Sequence, residues 1–241
     1  MKELHFLVDG QKIAATIQYP QNIKEKNPAV LFVHGWMASQ KRNILYAQEL
    51  TKLGYICMTI DLRSHGESEG ERGVLSREDY MRDMVAAYDL LATQKGVDAK
   101  RIGLVGSSFG SYLGAILTSQ RDIRWLALRV PANYPDEGFD QPQVKFANKK
   151  TTEWRKEKLT ADATLSLRSM HAFKNDVLIV ESELDELCPH QTMENYMNAL
   201  PNKDRLTHTV IKGADHSMKS EKFRKEFTKI IIDWFGQRGD D

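Results

Sequence analysis

Six short strand-like runs, most of them continuously apolar and mostly separated by helix-like segments, leave this chain few architectures. They are Ala29–Val33, Tyr55–Ile60, Ile102–Val105, Trp125–Val130, Val177–Val180 and Leu206–Ile211. An unbroken apolar run of this length suits a strand buried on both faces, as in a parallel sheet covered by helices. Strands that alternate with helices imply βαβ crossovers and a mostly parallel sheet. The chain has 241 residues, enough to bury a core without disulfides or a structural metal.

Local signals fill in the frame. Leu4–Val8 and Ile13–Tyr19 flank Asp9-Gly10, a turn dipeptide, and predict a hairpin. Ser76 to Asp79 has capping-box spacing and opens a helix with Tyr80, Met84, Tyr88 and Leu91 on one face. The last helix aligns Phe223, Phe227, Ile230, Ile231 and Trp234, with Gly236 expected as its stop. Between two predicted strands lies a long irregular connection, Pro131 to about Lys158, rich in proline, glycine and charge. Such a connection in a compact domain predicts a small cap or lid, here about 131–158, inserted into a single domain spanning 1–241.

Charge and cysteine content exclude several functions. Lys plus Arg is 34 and Asp plus Glu is 33, a net charge of +1 that does not predict a nucleic-acid partner. Cys57 and Cys188 are too few for a disulfide framework or a four-ligand zinc site, and the histidines show no metal-ligand spacing. No metal and no cofactor is expected. The N-terminus lacks the apolar core of a signal peptide, and no stretch approaches the roughly 18 apolar residues of a membrane span. The expectation is a cytoplasmic protein with two reduced thiols.

Gly106-Ser107-Ser108-Phe109-Gly110 fits G-x-S-x-G and lies between an apolar strand and a helix-like segment. That context lifts the central hydroxyl above a sheet, with helix N–H groups behind it. Ser108 is therefore the candidate nucleophile, preferred over Ser107 and Ser111. A serine needs a base, and the base needs an orienting carboxylate, in the chain order Ser, acid, His. Asp185 follows the strand Val177–Val180 and is preferred over Glu183 and Glu186. His216 follows the last strand and is the candidate base. The loop His34-Gly35-Trp36 supplies a backbone N–H, so Trp36 and Phe109 are the candidate oxyanion donors, and His34 is expected to brace its loop.

Together with Asp61-Leu62-Arg63-Ser64-His65-Gly66-Glu67-Ser68, these residues make the chain resemble the α/β-hydrolase superfamily. It is similar to the branch of esterases, monoglyceride lipases and serine aminopeptidases. The resemblance implies an α/β-hydrolase fold: a sheet of about eight strands, the second antiparallel, with helices on both faces and residues 131–158 as a cap. It also implies a cofactor-independent serine hydrolase acting on a small-molecule ester or related acyl substrate. Tyr134, Phe139, Phe146 and Trp154 in the cap are candidate substrate-pocket residues. Its basic residues, Lys145, Lys149, Lys150, Arg155, Lys156 and Lys158, predict a solvated face, with attraction of anionic substrates and, last, nucleic-acid binding as the alternatives. Thioester, amide or peptide cleavage by the same triad stays open, as does a non-catalytic binding protein on the same fold. A peptidase would draw on Asp136, Glu137 and Asp140 to hold an amine. An exposed apolar edge or cap could support a homodimer.

Overall fold

The apolar runs become the centre of one eight-stranded sheet. A computed structural model describes residues 1–239. The strands are β1 (Lys2–Val8), β2 (Gln11–Gln18), β3 (Asn27–Val33), β4 (Ile56–Ile60), β5 (Val97–Ser107), β6 (Trp125–Arg129), β7 (Asp176–Leu184) and β8 (Leu206–Asp215). The helices are α1 (Lys41–Thr51), α2 (Arg77–Ala92), α3 (Phe109–Leu117), α4 (Lys149–Trp154), α5 (Leu165–Ala172), α6 (His190–Ala199) and α7 (Glu221–Gly236). The strand order is β1-β2-β4-β3-β5-β6-β7-β8. Only β2 pairs antiparallel, with β1 on one side and β4 on the other; the remaining pairs are parallel.

The two-residue period of a strand sorts each run into two cores. Ala29, Leu31 and Val33 of β3, Leu126 and Leu128 of β6, and Val177 and Ile179 of β7 face α2, α3, α5 and α6. Val30, Phe32, Ala127, Leu178 and Val180 face the other way, against Tyr46 and Leu50 of α1 and Phe227, Ile231 and Phe235 of α7. Burial on both faces is why these strands read as unbroken apolar runs.

The capping box of α2 forms as expected, with the Ser76 hydroxyl accepting from the Asp79 N–H. Asp9 and Gly10 both take positive φ, at 50° and 78°, making the β1–β2 turn. The expected stop at Gly236 is corrected. Gly236 is the last helical residue of α7, and Gln237, with right-handed dihedrals, caps it. The last turn therefore continues past the glycine without a left-handed cap.

The connection between β6 and β7 holds a 3₁₀ turn at Gln143–Phe146, then α4 and α5. Among the described residues no helix is long and apolar enough to cross a membrane.

Candidate active site

Ser108 stands at the tight turn between β5 and α3 with φ 52° and ψ −111°, a conformation L-residues rarely hold. Its neighbours make that turn feasible. A Cβ on Gly106 would lie 2.6 Å from the Gly110 carbonyl oxygen, and one on Gly110 would lie 2.5 Å from that of Val33. Both obstacles are backbone, so side chains are excluded at these positions. The turn is tied down from both directions: the Ser108 N–H donates to the Arg129 carbonyl at 2.9 Å, and its own carbonyl accepts from Ser111 and Tyr112. The two other serines considered are occupied. Ser107 Oγ accepts from Arg129 Nε, and Ser111 Oγ donates to the Arg129 carbonyl.

Asp185 follows β7 and His216 follows β8. His216 Nδ1 lies 2.7 Å from Asp185 Oδ2. The other Asp185 oxygen accepts from the N–H groups of Leu187 and Cys188, which fixes the carboxylate. Of the alternatives, Glu183 is taken by Lys212 and the Gly213 N–H, and Glu186 is exposed. Burial opposes the charged imidazolium of His216. Its bond to Asp185 and the neighbouring Cys188 sulfur outweigh that, and the pKa is held up at about 9. One ligand atom each from Asp185, Cys188 and His216 lies within 4.8 Å of the other two. These are donor types that hold transition metals, but one of the ring nitrogens is engaged by Asp185.

The loop after β3 is braced from within. His34 is buried; its Nε2 accepts from the Leu62 N–H at 3.0 Å, so its Nδ1 carries the proton and donates to the Gly35 carbonyl at 2.7 Å. Burial lowers its pKa, which keeps this neutral tautomer. His65 is pushed down to about 4, also by burial, and braces the same corner through the Arg63 carbonyl. Asp61 accepts from the backbone N–H groups of Gln40 and Glu67. Its carboxylate occupies the place of a Gly66 Cβ, which would lie 2.2 Å away. Neither the Trp36 nor the Phe109 N–H donates to another group among the described residues.

Ser108, His216, Asp185 and Trp36 line one cavity of about 1320 Å³. Of the four aromatic candidates, Tyr134 and Phe146 line it and Phe139 and Trp154 do not. Phe139 packs with Phe146 and Tyr134 around the Arg77 guanidinium, 5.5, 4.6 and 5.6 Å from the ring centres. Asp136, Glu137 and Asp140 do not line the cavity. Asp136 instead pairs with Arg168 at 2.6 Å.

Three arginines are buried at positions where the sequence predicts no buried cation. Arg77 donates to the carbonyls of Pro135 and Glu137. Arg155, expected on a solvated face, is buried and donates to the carbonyls of Asn133 and Leu187. Arg129, at the end of β6, donates to Ser107 Oγ and the His216 carbonyl. A signal for the last was present: a charge ending an otherwise apolar strand.

Residues 42–240 match the prolyl oligopeptidase family. An uncharacterized 31.7 kDa protein in the traX-finO intergenic region of Escherichia coli is 36% identical over 110 residues, covering 44% of this chain and 36% of that protein. The chain therefore spans little more than a third of that relative's length. Among solved structures, Est1E from Butyrivibrio proteoclasticus, with ferulic acid bound, has a TM-score of 0.76 at 17% identity. That likeness covers 99% of this chain and all of Est1E. A thioesterase domain from the curacin biosynthetic pathway has a TM-score of 0.67 at 14% identity, over 96% of this chain and 99% of the domain. These likenesses bear out the α/β-hydrolase fold.

Proposed function

The chain belongs to the prolyl oligopeptidase family, within the α/β hydrolases, and from that membership we propose that it is a serine hydrolase cleaving a carboxylic ester. One observation carries this: the Asp185–His216 bond of 2.7 Å opens onto the same cavity as Ser108, held at positive φ between two obligatory glycines.

In the proposed reaction His216 removes the Ser108 proton as Oγ attacks the acyl carbon. Asp185 fixes the ring tautomer and offsets the imidazolium charge. The unpartnered N–H groups of Trp36 and Phe109 receive the oxyanion; such a donor is typically worth about 10²–10³ in kcat. His216 then protonates the leaving alcohol, and water repeats the sequence on the acyl-enzyme. No Ser108–His216 hydrogen bond is present at rest, and contacts of this kind often tighten only around substrate. Residues 131–158 act as the cap, supplying Tyr134 and Phe146 to the cavity wall. Two free, buried thiols suit a reducing, cytoplasmic setting.

A second reading keeps the machinery and changes the acyl bond to an amide, favoured by the family of peptidases to which the chain belongs. The carboxylates lining the cavity are Glu153, Asp185 and Glu186. Glu153 pairs with Lys156 and Asp185 with His216, which leaves the exposed Glu186 as the one lining carboxylate open to a substrate amine.

The test is hydrolysis of p-nitrophenyl esters from acetate to palmitate, with an aminoacyl p-nitroanilide alongside. Ser108→Ala is expected to lower kcat by about 10⁴ or more. Cleavage of only the anilide by the wild type selects the amide reading. Unchanged activity in Ser108→Ala overturns both.

A further inference from the structure

Beside the His216 loop, on the α1 and α7 side of the sheet, polar groups gather that no protein atom satisfies. Arg129 follows Trp125 and Ala127 at two-residue spacing on β6, shares their face and so lies on the α1 side. It is 6% exposed. Its Nε and Nη1 hold Ser107 Oγ at 3.2 Å and the His216 carbonyl at 2.9 Å, while Nη2 donates to nothing among the described residues. No carboxylate lies within ion-pair distance of it among those residues. Asp185 is the nearby carboxylate whose charge it feels, and that group is spent on His216, Leu187 and Cys188.

The other buried arginines are compensated. Arg63 is paired with Asp83 at 2.6 Å and with Asp9 at 2.9 Å. Arg77 and Arg155 stand over aromatic faces. Arg129 has neither kind of partner. Across from it, Asn43 and Tyr46 lie three residues apart on α1, hence on one face. They are 5% and 4% exposed. The Asn43 amide nitrogen and the Tyr46 hydroxyl are buried without a partner. The charges felt at that hydroxyl, from Arg129, Arg42 and Arg224, are all positive. Arg129, Asn43 and Tyr46 all line the cavity that holds Ser108.

We propose that this corner binds a carboxylate carried on the leaving-group side of the substrate, held by Arg129, Tyr46 and Asn43. The donors dictate an acceptor. A buried guanidinium without a counter-charge is costly, which dictates an anion. The unengaged Nη2, together with the Tyr46 hydroxyl and the Asn43 amide, offers donors for the two oxygens of a carboxylate. The side follows from chemistry: Arg129 holds the carbonyl of His216, the residue that hands its proton to the departing alcohol. This last step rests on the serine-hydrolase reading; the anion site itself does not.

Two measurements separate the two claims. The first compares kcat/KM for 4-acetoxybenzoate and for its neutral methyl ester. The wild type is expected to favour the anionic ester by roughly tenfold, and Arg129→Gln and Tyr46→Phe are expected to pull that ratio toward one. Tyr46→Phe guards against misfolding, because its ring contact with Phe227 remains and no protein hydrogen bond is lost. The second is calorimetric titration of the wild type and Tyr46→Phe with 4-hydroxybenzoate and with inorganic phosphate. Hydrolysis of both esters without preference, or a ratio unmoved by either variant, overturns the leaving-group assignment while leaving the hydrolase intact. Absence of ester hydrolysis with 4-hydroxybenzoate binding that weakens in Tyr46→Phe keeps the anion site and removes the ester reading, and with it the leaving-group assignment. Binding of phosphate and not of the benzoate overturns the carboxylate. No binding of either means water serves these groups, and the proposal falls.

Discussion

On one side of the cavity, Gly110 is pressed against the carbonyls of Val33 and His34, and the serine turn rests on strands buried on both faces. On the other side, the chain from 131 to 158 has only a 3₁₀ turn and the short α4. Two buried arginines hold it, reaching carbonyls of residues 133, 135 and 137 and the faces of Tyr134, Phe139 and Phe146. The first wall is set by backbone contact and has no slack. The second is set by long side chains and hydrogen bonds, which can be exchanged for water. The difference teaches that the proposed nucleophile is anchored where packing permits no alternative, while the proposed cap rests on contacts of modest net strength.

The sharpest break of that contrast is Gly110→Ala. Its Cβ would meet two backbone carbonyls at 2.5 and 2.6 Å, with no flexible side chain to yield. The expected cost is about 3 kcal/mol or more, with loss of hydrolysis. Urea unfolding and ester turnover check it; a variant as stable and active as the wild type would show that the turn has slack after all. Arg77→Met probes the opposite wall. It removes the donors to Pro135 and Glu137 while keeping an apolar stem among the rings. A loss of about 1–3 kcal/mol is expected. KM should rise more than kcat falls, because the substrate-facing wall loosens while Ser108 stays fixed. A fall in kcat at constant KM would place Arg77 in the support of the serine turn instead.

The same contrast explains what the sequence made visible. Ala29–Val33 and Trp125–Val130 could be recognised as buried strands because neither face meets water. The glycines at 106 and 110 carried their meaning because only backbone proximity explains them. Asp185 and His216 were placed by chain order, since each follows a strand whose end is fixed. In the irregular segment no period dictates where a side chain points. Nothing local distinguished Tyr134 and Phe146, which line the cavity, from Phe139 and Trp154, which do not. Arg155 was grouped with neighbouring lysines because a buried cation is recognised by the carbonyls around it, and those come from residues 133 and 187. Arg129 stands out as a charge ending an apolar strand, but its partners, Ser107 and His216, are distant in sequence and close only across the sheet.

The smallest expected effect lies behind the cavity, at Cys188, which packs in the core beside Asp185 and His216. This buried thiol follows Asp185 by three residues and helps hold the His216 pKa at about 9. As the proposed general base, His216 must be neutral, so kcat/KM is expected to fall tenfold for each pH unit below about 9. Stability runs the other way. The folded pKa lies above the ordinary histidine value of 6.5, so the stabilisation is complete below about 6.5 and is lost as pH rises through about 9. Between those limits, alkaline pH should activate the enzyme and lower its Tm together. Removing the sulfur in Cys188→Ala takes away part of the upward push and leaves the Asp185 bond. The activity limb should move to lower pH, raising turnover at neutrality, and the alkaline loss of Tm should shrink with it. Parallel pH scans of kcat/KM and Tm decide the point. If the limb moves and the Tm profile does not, the group that limits activity is not the one that sets the alkaline loss of stability. If neither moves, the thiol is packing alone, and Asp185 sets the base without help.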